Sequence, residues 1–522
     1  MKLYNLHAFF YALQFKAIDL KKVFTFKKKI RYSPTKINQK QIRSMLKKII
    51  YFCLFLSTLQ SFSQEIVNSV PVELKKNRSI FQVVNNEKND VTLFVSDKIK
   101  VKAIHLDQDL KIVDSISIER PNIKTYAMMI GYNISDNNTR LFWSSNDYEE
   151  IFTQLYDIPN HKVVTQQYTL ALKDQKVLQK FSENDNFYIL TFVKKSNNLK
   201  LHIFDKNGNY RERIISLAGF HFLTHNYEKT DLDGVLSENL LPFEFPYTLK
   251  YINPEDPTSI TEGAKQRKCY FNKKQITITL DTNVDYTQMF IIDLATFTAK
   301  EKMVKKHSIT GDRTFFNSNS FYFDNKLYQI KTSSTLFYFT VNDLDDNILK
   351  EYSVSADKPI DFKNSEIYQE GGDFGGKRIL ETSTQFIRKV NNLHSGLSCY
   401  HIGQNTLITF GGVSAQGQSA GQTAANQFGL IGALVGAAFF SPTMDNFNSY
   451  ANRKVVKIEG LFDNQDNHVQ GDLKPLAFDK IRTFFDDHKD VSSQTLFKMN
   501  AAYYLGYYDN KTKEYTIRKF VD

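Results

Sequence analysis

From residue 79 onward the chain alternates apolar and polar positions in short runs, and helical periodicity is scarce. The runs are rich in Phe, Tyr, Ile, Val and Thr, which suit a pleated, half-buried surface, so they predict strands. They come in pairs around turn residues. Residues 91–96 and 101–106 flank Asp97-Lys98, 186–194 and 199–204 flank Ser196-Asn197-Asn198, and 275–280 and 288–292 flank Asp281-Thr282-Asn283. Residues 326–332 and 335–341 meet at Ser333-Ser334, and 500–507 and 514–520 surround Tyr508-Asp509-Asn510-Lys511. Asn, Asp and Ser supply the left-handed or Asx-type corners that hairpins need.

Spacing organises these hairpins. A strand residue followed by an Asp turn recurs at Tyr156-Asp157, Phe204-Asp205 and Ile292-Asp293, and the related turn at Asn342-Asp343 falls 50 residues past Asp293. Seven β units are outlined near 79–118, 125–170, 177–217, 266–305, 314–354, 386–475 and 477–522. A period of about 40–50 residues with four strands per unit predicts a β-propeller, because small sheets that cannot bury both faces alone stack around a shared core. The expected fold class is all-β, a propeller of about seven four-stranded blades. Eight blades, or paired β-sandwich domains, are the alternatives. The chain resembles propellers as a class over most of 79–522, through period and strand pattern alone. No WD dipeptide or kelch double glycine repeats, and Trp143 is the only tryptophan. The last unit is one strand short and 79–84 is spare, so pairing the two is expected to close the ring and remove an exposed edge.

Two segments interrupt the period. Residues 218–265 hold Pro242, Pro246, Pro254 and Pro257 and read as a decorated loop or a degenerate eighth blade. Residues 411–450 are nearly free of charge and rich in Gly, Ala, Ser and Gln, with Gly432 and Gly436 at the close-packing helical spacing. The apolar stretch 428–440 is 13 residues, about 20 Å as a helix against a hydrocarbon core of about 30 Å, so it does not span a bilayer. Its apolar side chains, Phe428, Leu430, Ile431, Leu434, Val435, Phe439 and Phe440, are candidates for partner contact or peripheral membrane contact. A buried segment covering one face of the ring is the plainer alternative.

The start of the chain changes the charge picture. From Met45 the sequence has Lys47 and Lys48, an apolar run over 49–56 and Ser61-Phe62-Ser63 before Gln64, the three parts of a secretory leader. Residues 45–63 are therefore expected to be a signal peptide, 1–44 a mis-called or extended N-terminus, and 64–522 one propeller-like domain. The whole chain carries +11, but 1–44 holds eleven Lys/Arg against Asp19 alone, and the leader adds two lysines, which leaves −1 for the remainder. The alkaline balance therefore gives no global argument for nucleic acid, and no nucleic-acid partner is expected. Past the leader two cysteines remain, Cys269 and Cys399, either bridged in an oxidising compartment or two buried thiols. The leader and the Lys/Asn/Ile/Phe-rich composition resemble exported proteins of AT-rich Gram-negative bacteria such as flavobacteria. That resemblance implies the periplasm or outer envelope.

No motif carries a defined chemistry. Gly371 to Lys377 lacks both P-loop and dinucleotide-fold spacing, and Gly412 to Gly417 misses the nucleophile elbow because Gln416 stands where glycine is needed. Asp205 to Asn209 starts like a calcium loop but has glycine at position four and Ser216 at position twelve, so it reads as a turn. Asp463 to His468 and Asp231-x-Asp233 read the same way. His394, Cys399 and His401 have no second ligand pair in zinc spacing. Glu149-Glu150, Asp345-Asp346 and Asp486-Asp487 are adjacent acids, which point to opposite faces of a strand and make poor dyads. Catalytic residues are unassigned, and neither a metal nor a cofactor is expected. The leading expectation is a non-catalytic, exported envelope propeller that binds or scaffolds a protein or glycan. The alternative is a periplasmic or secreted hydrolase or lyase acting on polysaccharide or peptide at the propeller channel.

Overall fold

The alternating runs form antiparallel sheets from strands consecutive in sequence, and seven such sheets are the blades. In a computed structural model the structure describes residues 64–71, 79–136, 138–183, 185–309, 315–371, 376–417, 442–449 and 453–522. The expected leader, and the apolar candidates Phe428 to Phe440, lie outside the described residues. The first blade is Ser79–Asn85, Asp90–Ser96, Lys100–Leu106 and Ile112–Glu119. The second is Met128–Ser135, Asn138–Ser144, Glu150–Asp157 and Lys162–Thr169. The third is Gln175–Ser182, Asn186–Val193, Asn198–Asp205 and Tyr210–Ser216. The fourth is Arg267–Phe271, Gln275–Leu280, Tyr286–Asp293 and Ala299–Lys305. The fifth is Asn317–Phe323, Lys326–Thr332, Leu336–Asn342 and Ile348–Ser355.

The sixth and seventh blades depart from this simple order. The sixth has His394–Ile402, Asn405–Gly417 and Arg453–Phe462, and its rim is made of two short pieces. Ile367–Glu370 pairs with one half of Arg453–Phe462, and His468–Val469 pairs with the other. The seventh has Val491–Met499, Ala502–Asp509 and Glu514–Phe520, and its fourth strand is Gln64–Pro71, paired antiparallel from Gln64↔Phe520 to Pro71↔Glu514. This corrects the expectation that 79–84 closes the ring, because Ser79–Asn85 is the inner strand of the first blade. Position explains the difference. The fourth strand of a blade is a rim strand with mostly exposed side chains, as in Lys162–Thr169, and the polar alternation of Gln64–Pro71 suits it. Ser79–Asn85 is too apolar, with Phe81 and Val83 buried.

Shared apolar clusters run around the ring. Phe81 and Phe94 of the first blade pack with Trp143 and Tyr156 of the second. Phe142 of the second packs with Phe187 and Phe204 of the third. One cluster joins the third and fourth blades, another joins the fourth, fifth and sixth, and Leu93 and Ile104 meet Phe497 and Tyr504 where the seventh meets the first. Between the sixth and seventh blades the Tyr400 and Tyr503 hydroxyls lie 3.4 Å apart. Helices Pro442–Ser449 and Ala477–Asp487 pack with the inner strands of the seventh. The class is thus a seven-bladed β-propeller. Among the described residues no helix is long and apolar enough to cross a membrane.

The Asp turns noted above join the third strand of a blade to its rim. Asp205 Oδ1 accepts the backbone N–H groups of Asn207 and Asn209, and Asn209 Nδ2 donates to Oδ2. Asp343 with Asn347 and Asp463 with Asn467 repeat the arrangement. These turns also tie neighbours together: Tyr168 OH donates to Gly208 O, and Lys326 Nζ and Tyr328 OH both donate to Asp466.

Deleting residues 64–71 removes the rim ladder of the seventh blade, and the loss of its backbone bonds is expected to cost on the order of 5 kcal/mol. Chemical denaturation followed by the fluorescence of Trp143, fully buried in the seam of the first two blades, checks this. An unchanged midpoint would show that the rim strand does not hold the ring.

Candidate functional site

The axial channel is filled by the chain itself. Lys250–Ile252 adds a fifth, parallel strand on the inner side of Arg267–Phe271, so it lies inside the ring of inner strands. The chain then turns at Asn253 and forms the short helix Ile260–Gly263, which Ser259 caps by accepting from Glu262 N–H. It returns along the sixth blade at backbone contact distance. A Cβ on Gly263 would stand 2.3 Å from Leu397 O, and one on Gly396 would stand 2.7 Å from the Ala264 backbone. Glycine is required on both sides of that crossing.

Helix Pro442–Ser449, on the far side of the Gly/Ala-rich segment, locks this plug. Thr443 Oγ1 donates to Asp256 Oδ2 at 3.0 Å, Asn446 Nδ2 donates to Pro257 O at 2.9 Å, and the hydroxyls of Ser449 and Ser259 are 2.8 Å apart. Asp256 is fully buried and also accepts from Tyr503 OH and Asn253 Nδ2. Burial holds its carboxyl above the usual range, against the pull of Lys498 and these hydrogen bonds. The two segments that interrupt the repeat therefore meet in the channel.

Beside the plug a chamber of about 170 Å³ remains, walled by Lys180 of the third blade, Lys250 and Tyr251 of the plug, and Asp445 of the helix. Its amides are used within the protein: Gln179 Nε2 donates to Leu249 O, Asn253 to Asp256 and Asn446 to Pro257 O. Lys250 pairs with Glu262 at 3.2 Å, and Lys180 Nζ donates to Tyr148 OH at 3.1 Å. Asp445 has no hydrogen-bond or ion-pair partner among the described residues. Asp445 keeps an exposed edge, and crowding by the surrounding chain pushes its carboxyl up to about 6, against the pull of Lys250 and Lys180.

A second buried polar cluster anchors the crossover into the fourth blade. Asp281 accepts Lys306 Nζ at 2.9 Å and Lys268 Nζ at 3.1 Å, all three fully buried, with Thr287 and Ser320 donating as well. Burial raises the carboxyl, but the two ammonium groups outweigh it and hold Asp281 well below the usual range. Nearby, the buried Arg267 pairs with Glu244 at 2.9 Å.

The sequence candidates are scattered. Cys269 and Cys399 are free and buried, with burial pushing both thiols up. A bridge between them is not formed: Cys269 packs in the seam of the third and fourth blades, and Cys399 in the cluster that joins the sixth to the fifth. His394 packs edge-on against Phe243, and His401 pairs with Asp324, so the His/Cys motif does not converge. Asp231 caps a helix by accepting from Gly234 N–H, and Asp233 accepts from Tyr247 OH. Among the described residues no group of His, Cys, Asp and Glu is placed to hold a metal ion. Sequence reasoning missed Lys180, Lys250, Asp256 and Asp445; the prolines of 218–265 marked only that the chain leaves the repeat there.

No family model matches the chain, and no curated protein matches it. Among solved structures, the Dos1 propeller aligns over 88% of this chain and 94% of its own, at 6% identity and a TM-score of 0.31. A prolyl endopeptidase structure covers 64% of this chain and 47% of its own, at 8% identity and a TM-score of 0.27. The apocarotenoid oxygenase of Synechocystis covers 52% and 59%, at 8% identity and a TM-score of 0.25, so the chain spans about three fifths of that enzyme's length. At such scores these likenesses add nothing to the fold, which rests on the sheet order above.

Replacing Asp281 with Asn leaves two buried lysines without their carboxylate and is expected to cost about 3–5 kcal/mol in chemical denaturation. Because Asp281 is held low in the folded state, its contribution is complete above the unfolded carboxylate range near 4 and is lost as pH falls further. The wild type is therefore expected to lose more stability on acidification than Asp281→Asn. Cys269 and Cys399 are expected to resist aromatic disulfide reagents in the native protein and to react once it is unfolded; rapid native labelling would contradict their burial.

Proposed function

We propose that the chain is an exported envelope propeller that binds or scaffolds a partner and is not a processive enzyme. The filled channel carries this reading: among the described residues, the plug and the helix that locks it occupy the axis that a threading polymer would need. The partner is taken to dock on the end of the ring where Asn405–Gly417 stops and Arg453–Phe462 starts, which by strand direction is also the end of the crossovers into inner strands, including 217–266. The leader-like segment over 45–63 supports export.

A hydrolase or lyase at the channel is the second reading, favoured by the single unpaired carboxyl of Asp445. Glycoside cleavage uses a pair of carboxylates, and Glu262, the acid whose charge acts on Asp445, is held by Lys250.

Mass spectrometry of the protein recovered from envelope fractions is expected to find an N-terminus at or near Gln64. A chain that keeps residues 1–44 would overturn export. Removing 418–441, with both flanking elements retained, is expected to leave the melting temperature unchanged and to abolish a cross-linked complex seen with the intact protein. A complex that survives the deletion would remove the segment from the docking face.

A further inference from the structure

The chamber beside the plug has a chemistry of its own, separate from any docking face. Its lining brings together the carboxyl of Asp445, which has no partner among the described residues, Lys180, whose Nζ donates to Tyr148 OH, and Lys250, which pairs with Glu262. The acid and the bases do not pair with each other: no contact within 4.0 Å joins Asp445 to either lysine, although both act on its charge. Asp445 is thus left without a short-range partner among the described residues, while Glu262 and the Tyr148 hydroxyl each take one of the three donors that the ammonium groups of Lys250 and Lys180 carry. A molecule that carries both signs satisfies both walls at once.

Size narrows the choice. The chamber is about 170 Å³, and a cavity of about 150 Å³ admits one benzene ring. A single small molecule fits and an oligomer does not. The lining amides are already bonded within the protein, so a ligand dense in hydroxyl groups would find few free partners there.

We propose that this chamber binds one small zwitterion of the α-amino-acid type, with its ammonium on Asp445 and its carboxylate on Lys180 and Lys250. The site is lined by the plug, the third blade and helix Pro442–Ser449 and uses no residue of 418–441, so it stands or falls separately from partner docking. A charge-assisted bond at each end supplies orientation as well as affinity.

Calorimetric titration and thermal shift of the purified protein with each of the twenty L-amino acids test this directly. At least one amino acid is expected to bind saturably and to raise the melting temperature. Its N-acetyl derivative, which lacks the ammonium, and its carboxamide, which lacks the carboxylate, are each expected to bind at least tenfold more weakly. Asp445→Asn and Lys180→Met are expected to lose binding by a similar factor while the ligand-free protein melts as before. Absence of binding by every amino acid at millimolar concentration would overturn the proposal. So would equal binding of inorganic phosphate or acetate, which marks a plain anion site, or binding unchanged in both variants. If a variant does not fold, the derivative series on the unaltered protein decides alone.

Discussion

All blades but the sixth present two apolar faces, and much else in the molecule follows from the need to cover both. A sheet with one apolar face is finished by a single neighbour; a sheet with two is finished only inside a stack, and a stack without ends is a ring. The seams show the consequence. Phe81 stacks on Phe94 at 4.9 Å, and Phe94 meets Tyr156 of the next blade edge-on at 5.1 Å. Phe142 and Phe187 do the same one seam further on. Burial falls off outward, which is why the rim strands Ile112–Glu119, Lys162–Thr169 and Tyr210–Ser216 can be largely polar and exposed. Only a rim position can be filled from a distant part of the chain at little cost in core packing, and the position filled that way is the one taken by Gln64–Pro71.

The sixth blade obeys the rule on one face and breaks it on the other. Toward the fifth blade it presents Leu397, Cys399, Ile408, Phe410, Val456 and Ile458, all buried in the shared core. The alternate positions, Ser398, Thr409, Lys457 and Glu459, line a narrow cleft of about 50 Å³. The period-2 geometry of a strand makes these two sets strictly complementary, so this face was given up as a packing surface by sequence choice. Helix Ala477–Asp487 and the plug take the place of a direct seam, with Phe478 and Pro257 reaching the same cleft. The departure of this blade from the repeat, its split rim and its long loop belong to one local solution.

Period and turn chemistry made most of the ring legible in advance. The Asp turns were readable because the residue does a fixed job: its carboxylate accepts two backbone N–H groups that a hairpin corner leaves free, so the same letter returns at the same place in each blade. Closure was misread because strand count does not reveal rank. Gln64–Pro71 alternates weakly, as a rim strand does, and a weak alternation is hard to tell from a linker. The plug was invisible for a different reason. Its contacts are between backbones, through Gly263 and Gly396, and between single polar side chains far apart in sequence, such as Asp256 with Thr443 and Tyr503. No local pattern encodes such pairs. The chamber inherits that limit, since Lys180, Lys250 and Asp445 come from three segments that only the closed ring assembles.

Direction of travel through the blades explains why both irregular segments end in one place. In an antiparallel blade the inner strand begins at the end where the second strand stops and the third starts. Crossovers into inner strands and loops between second and third strands therefore share one end of the ring, while the hairpins after the first and third strands share the other. The other end carries the tight turns, such as Asp324-Asn325 with φ of 50° and 58°, and the Asp-capped corners that dock on neighbouring blades. Residues there are committed to holding seams, so insertion would cost packing. The first end carries no such commitment, and length has accumulated there in 217–266 and between Asn405–Gly417 and Arg453–Phe462 of the sixth blade. Segments that enter from one end of a ring with an empty axis bury most surface by turning into the axis, and the locked plug is that outcome.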